Sequence, residues 1–239
     1  MAQDTPTYRA LITHFTDFLT VAIHTILYER GIYPRSSFLS ARKYNFAVRQ
    51  SRHPKVCEWI NDAVNAVETE LLKSTVERAV VVLYTKDLKP RERYVFDVSR
   101  FPTVGPGDLD TQLDRRGGDG EQVPVLPNVD MEEQFRATMS KLSNCGSELK
   151  ALPDGCTFTV AIELKSEGMA PVSHPQPWMP GAAFQDASVH AYTCFSVTGR
   201  PAASMPLPTI EPAVPPKPHV VGRTTLMPCV PTGILIRLL

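Results

Sequence analysis

Apolar residues return every three or four positions along the first part of the chain: Leu11, Phe15, Phe18, Leu19, Ala22, Ile23, Ile26 and Leu27. Thr13, Thr16, Asp17, Thr20 and Thr25 fill the other side. That spacing predicts an amphipathic helix whose apolar stripe is broad enough for a core position. Thr5 before Pro6 reads as an N-cap followed by proline at the first helical position, and Gly31 and Pro34 end the helix. A second helix is expected from about Pro54, with Val56, Ile60, Ala63, Val64, Val67 and Leu71 as its buried stripe. Trp59 lies roughly a quarter turn from the centre of that stripe, at ~100° per residue. Its ring is expected at the edge of the core with one face open.

Strand patterns follow. Ala79–Tyr84 is an apolar run bounded by charge, as expected for a strand buried on both faces. Lys86–Pro90 makes a turn, and Tyr94, Phe96 and Val98 alternate with Val95 and Asp97 in a return strand. The 101–128 stretch is rich in Gly, Pro and Asp and reads as a flexible insertion. Asp130 then caps a third helix, whose buried face is Met131, Phe135, Met139 and Leu142. Cys156, Phe158, Val160, Ile162 and Leu164 alternate with Thr157, Thr159, Ala161 and Glu163, the cleanest strand in the chain. Regular patterning stops after Lys165. The expected organisation is a core over 1–165 and a proline-rich segment with an unusual tail over 166–239.

Composition narrows the function classes. A chain of 239 residues with 43% hydrophobic and 21% charged residues is ordinary for a globular protein. The formal net charge is zero, which offers no general attraction to nucleic acid or to an anionic membrane. Cys57, Cys145, Cys156, Cys194 and Cys229 form no C-x-x-C pair and no zinc spacing, which points to a reducing compartment. MAQDTPTYRA lacks the basic and apolar regions of a signal peptide. No run reaches the roughly 18 apolar residues of a membrane span.

Catalytic chemistry finds little support. His14, His24, His53, His174, His190 and His219 form no H-x-x-x-H pair, and His14 and His24 read as polar-face or packing residues of the first helix. Glu132-Glu133 is a solvated helix start, and Gly117, Gly118 and Gly120 do not open a phosphate-binding helix. No catalytic residue, cofactor site or metal site is assigned. Arg35, Arg42, Lys43, Arg49 and Arg52 interleave with Phe38, Tyr44 and Phe46, a pattern open to single-stranded nucleic acid. With no net charge, a solvated connector with inward aromatics is the better reading. Pro212–Lys217 suits either a polyproline ligand or a plain linker. Trp178, in PQPWMPG, anchors the tail or belongs to a binding surface.

The stretch ILYERGIYPRSSFLSARKYNFAVRQSRHPKVCEWI resembles the start of the HORMA domain, and most of all that of the accessory subunits of DNA polymerase zeta. VERAVVVLYTKDLKPRERYVFDV, MEEQFRATMSKLS, PDGCTFTVAIEL and PWMPG are similar to later parts of the same family, so the likeness runs from about Tyr8 to Gly181. The resemblance implies an α+β fold with three helices on an antiparallel sheet. It also implies a C-terminal safety belt that closes over a short proline-containing peptide of the polymerase zeta catalytic subunit. Trp59, Trp178, Tyr33 and Phe158 match positions at the peptide channel, and Arg136 matches a surface where two such domains pair. Implied partners are that catalytic subunit, a translesion scaffold polymerase and a second HORMA domain, with no direct nucleic-acid or membrane contact and a nuclear or cytoplasmic location. A spindle-checkpoint protein of the same family is the close alternative, and an enzyme with an unrecognised site is the distant one. The ending TTLMPCVPTGILIRLL departs from the family pattern, although Gly233–Leu239 is apolar enough for a strand.

Overall fold

Helix α1 (Tyr8–Glu29) runs through the middle of the molecule, in a computed structural model that describes residues 6–116, 122–124 and 128–165 and short strands at 179–180, 191–194 and 235–238. Its cap is Thr7, whose hydroxyl accepts the Ala10 N–H at 3.2 Å, two residues later than the Thr5-Pro6 signal suggested. Thr5 lies outside the described residues. Arg30 caps the other end, and Gly31 follows at φ 63°, a left-handed turn that glycine adopts without steric cost.

Phe15, Phe18, Leu19, Ile23, Ile26 and Leu27 of α1 are fully enclosed. By length and composition α1 is long and apolar enough to cross a membrane, although polar residues interrupt its apolar run. Its apolar faces are instead covered by α2 (Pro54–Leu72) and α3 (Asn128–Glu148). At the α1–α3 crossing, a Cβ on Gly146 would stand 3.1 Å from the Glu29 carbonyl oxygen, so the close approach depends on glycine. Phe135 of α3 stacks on Phe18 with ring centroids 4.5 Å apart. Asp130 lies inside α3 rather than at its cap, because the helix begins at Asn128.

The connector between α1 and α2, read from the sequence as a solvated connector with inward aromatics, is a regular hairpin. A 3-10 turn (Arg35–Ser37) leads into a hairpin of β1 (Phe38–Lys43) and β2 (Phe46–Ser51). Tyr44 and Asn45 form its two-residue turn at φ 54° and 51°, the conformation of a type I′ turn, for which glycine is the usual signal.

Strands β3 (Val76–Tyr84), β4 (Pro90–Asp97) and β7 (Thr157–Leu164) form the centre of an antiparallel sheet ordered β10-β4-β3-β7-β9-β8. Here β8 is Met179–Pro180, β9 is Ala191–Cys194 and β10 is Leu235–Leu238. β5 (Asp114–Arg116) and β6 (Gln122–Pro124) pair separately. Alternation decides what each face meets. Ala79, Val81, Leu83, Tyr94, Phe96, Phe158, Val160 and Ile162 enter the core under the helices, while Val80, Val82, Val95 and Ala161 are buried on the reverse face. Beside the second group, Glu163 bridges Arg78 at 2.8 Å and Arg93 at 2.7 Å with its side chain only 3% exposed.

Two anchors join the layers. The Tyr8 hydroxyl donates to the Leu71 carbonyl at 2.8 Å, tying the start of α1 to the end of α2. Arg30 donates to both oxygens of Glu92 at 2.8 and 2.5 Å and to the Lys150 carbonyl at 2.5 Å. The Gly- and Pro-rich stretch begins docked on α1: Phe101 meets Phe15 edge-on at 5.4 Å, and Arg9 pairs with Asp110 at 2.7 Å.

Candidate functional site

The N-terminal half of α2 and the strand β7 bring together two of the residues singled out in the sequence. Pro54 at the first turn fixes the helix entry, and the His53 carbonyl accepts the Val56 and Cys57 N–H groups at 3.1 Å. Trp59 then projects toward β7, where its ring meets Phe158 edge-on at 5.0 Å and 78°. Phe158 is fully buried and Trp59 is 8% exposed. The open face expected of Trp59 is therefore closed, because Phe158 extends the core beyond the edge of the helical stripe.

This aromatic pair lies beside the end of the helix-covered sheet. β7 receives β9 along its outer edge, in antiparallel register from Val160↔Cys194 to Glu163↔Ala191. β8 adds outside β9, pairing Met179 with Thr193 and Pro180 with Tyr192. The outer edge of β7 thus holds extended segments of the chain itself. At the opposite edge β10 pairs with β4, from Leu235↔Asp97 to Leu238↔Tyr94, so the apolar ending forms a strand as its composition suggested.

Among the described residues, Tyr33 and Arg136 make no ring contact with this pair. Tyr33 is partly buried against the same core, and burial raises its phenol pKa. Trp178 lies outside the described residues. Arg136 stands on the exposed side of α3, with its side chain 45% exposed and paired to Glu133 at 3.1 Å.

The side chains near these elements are poor reagents. Burial raises the thiol pKa of Cys57, Cys145 and Cys156, which keeps all three protonated and weakly nucleophilic. Burial also lowers His24 to about 4, so its imidazole is neutral, and Nδ1 accepts the Ser51 N–H at 3.3 Å. Among the described residues no three His, Cys, Asp or Glu side chains gather as a metal site. What remains is an enclosed aromatic pair beside a strand, β7, whose outer edge holds an extended segment.

Sequence reading missed the hairpin contacts. Tyr28 of α1 receives the guanidinium groups of Arg35 and Arg49 over its ring, 4.8 and 4.9 Å from the centroid, and meets Phe38 edge-on at 5.4 Å. Tyr44 packs on Phe18 and Phe135. The available signal was the Tyr-Asn pair between two runs of β-compatible residues.

A model of the HORMA domain matches residues 12–198. The chain belongs to the HORMA domain family. Its relatives include the mitotic spindle assembly checkpoint protein MAD2B of Bos taurus, 33% identical over 179 residues, or 73% of this chain and 77% of that protein. The DNA polymerase zeta processivity subunit of Schizosaccharomyces pombe is 33% identical over 170 residues, covering 71% of this chain and 76% of its own. Among solved structures, a chain of the mitotic checkpoint complex overlays with a TM-score of 0.52 at 18% identity, covering 77% of this chain and 95% of that one. The HORMA fold of α-helices against an antiparallel sheet is common to both.

Proposed function

We propose that this HORMA protein is a non-catalytic adaptor that captures a short, proline-containing peptide of a partner along β7, in exchange for its own strand β9. The partner is the catalytic subunit of DNA polymerase zeta, and the setting is translesion synthesis in the nucleus. The observation that carries the reading is the Trp59–Phe158 pair beside a sheet edge that pairs with extended chain. A peptide added there gains affinity from its main-chain hydrogen bonds and selection from the side chains beside the strand. Trp178 would complete the grip from the segment that follows β7. The fission yeast relative named as a polymerase zeta processivity subunit supports the choice of partner.

The MAD2B relatives are named for the spindle checkpoint, which favours a second reading in which the same site holds a checkpoint protein. Affinity capture of the tagged full chain from cell extract, with partners identified by mass spectrometry, separates the two. Recovery of a polymerase zeta catalytic subunit, lost on replacing Trp59, is the expected result. Recovery of a checkpoint activator at the same site reverses the choice of partner, and partners indifferent to Trp59 overturn the site.

A further inference from the structure

Peptide capture at β7 makes no use of the β1–β2 hairpin, which carries an unpaired strand edge of its own. β2 packs on α1 and α3, and β1 is the outer strand. Leu39, Ser40, Ala41, Arg42 and Lys43 are all exposed. Among the described residues no strand pairs with the outer edge of β1.

The register shows which groups face outward. A two-residue turn makes Lys43 and Phe46 a hydrogen-bonded pair, and the pattern then alternates along the hairpin. Ala41–Val48 and Leu39–Gln50 are the next bonded pairs, and the Arg52 N–H to Ser37 carbonyl bond at 2.7 Å keeps the same phase. Ser40 and Arg42 therefore turn both N–H and C=O away from β2, whereas the Phe38 N–H donates to the Arg35 carbonyl and only its C=O is directed outward.

Basic residues outnumber acidic ones around this edge, where Asp17 and Glu29 are the nearby carboxylates. Between Glu29 and Glu58 the chain has Arg30, Arg35, Arg42, Lys43, Arg49, Arg52 and Lys55 and no acidic residue, although the whole chain has zero net charge. Lys43 is paired with Asp17 at 3.1 Å. Arg35 and Arg49 are held on the Tyr28 ring, so their planar forks are ordered before any ligand arrives. Arg42 bonds to the side chain of Asn45 at the turn. Basic residues on an edge strand also repel a second copy, since self-pairing through β1 brings arginine toward arginine. They suit an acidic strand.

We propose that the outer edge of β1 is a second docking site, which takes an extended acidic segment of a partner protein as an added strand. Ser40 and Arg42 supply the main-chain bonds, with the Phe38 carbonyl as a further acceptor, and Arg35, Arg42 and Arg49 receive carboxylates. A single nucleic-acid strand would answer the charge but leave those outward N–H and C=O groups without strand partners.

The test is a titration of ¹⁵N-labelled full chain with an acetylated heptapeptide alternating glutamate and valine. Expected are shifts centred on the Ser40 and Arg42 amides, slowed hydrogen exchange there, and weaker binding as salt rises. Ser40→Pro removes one outward donor at an edge position where proline is tolerated, and Arg42→Glu reverses a charge; each should weaken binding about tenfold or more. Should Ser40→Pro fail to fold, Arg42→Glu and the shift map decide. Shifts located elsewhere, unchanged affinity in the folded variants, or tighter binding of oligothymidylate to the same residues overturns the proposal. Trp59 variants should leave this binding intact, which separates it from capture at β7.

Discussion

Trp59→Ala probes packing and capture together. The indole is 8% exposed and meets Phe158 edge-on at 5.0 Å. Truncation of a buried tryptophan costs about 3–5 kcal/mol, and Ile60→Ala on the same helix costs about 2–5 kcal/mol. The two variants should therefore lose similar stability in urea unfolding, because Phe158 encloses a ring that the helical pattern alone puts at the margin. Against a typical total of about 5–15 kcal/mol, most of the protein remains folded, and binding can be measured per folded molecule. A cycle of Trp59→Leu, Phe158→Leu and the double variant isolates the ring contact, with an expected coupling of about 0.5–1.5 kcal/mol. Fluorescence anisotropy with a labelled polymerase zeta peptide should show a loss of about 2 kcal/mol or more for Trp59→Ala, roughly 30-fold in affinity. Zero coupling would refute the packing argument, and unchanged affinity in the folded variant would refute the site.

Glu92→Ala leaves Arg30, whose side chain is 4% exposed, without its carboxylate partner and should cost about 3–5 kcal/mol in chemical denaturation; Arg30→Met with Glu92→Leu should recover much of that. His24 has a folded pKa of about 4 against 6.5 when exposed, so the unfolded chain binds the extra proton between those values. Stability should fall as pH drops from about 6.5 to about 4, by up to roughly 3 kcal/mol, and His24→Asn should flatten the slope of urea midpoint against pH. Arg136→Ala should lower self-association in light scattering while leaving peptide capture unchanged, and a wild-type chain that stays monomeric at all concentrations would remove the basis for that role.

Much of the core was legible because its signals are local. The stripes of α1 and α2, the two-faced burial of Ala79–Leu83 and the alternation from Phe158 to Leu164 follow from the 3.6- and 2-residue repeats of helix and strand. The family motifs lie on those same elements. The hairpin was not legible, since Tyr44 and Asn45 make a left-handed turn without glycine and the flanking arginines read as solvated connector. The Thr7 cap was missed for a related reason: Thr5-Pro6 has the better local signature, and a cap is decided by which hydroxyl reaches the helix.

The candidate site divides along the same line. Residue type and helical phase, together with the family likeness, nominated Trp59 and Phe158 and placed the first near the rim of its helix. That their rings meet, and that Trp59 is closed rather than open, depends on β7 lying against α2 across nearly a hundred residues of chain, a juxtaposition no local period encodes. Strand order is of the same kind. Apolar composition made Leu235–Leu238 a candidate strand, but only the assembled sheet puts β10 on the β4 edge and β9 on the β7 edge. Local repeats determine which faces must be buried; long-range pairing decides what buries them, because many partners satisfy the same apolar face and only one arrangement satisfies all of them at once.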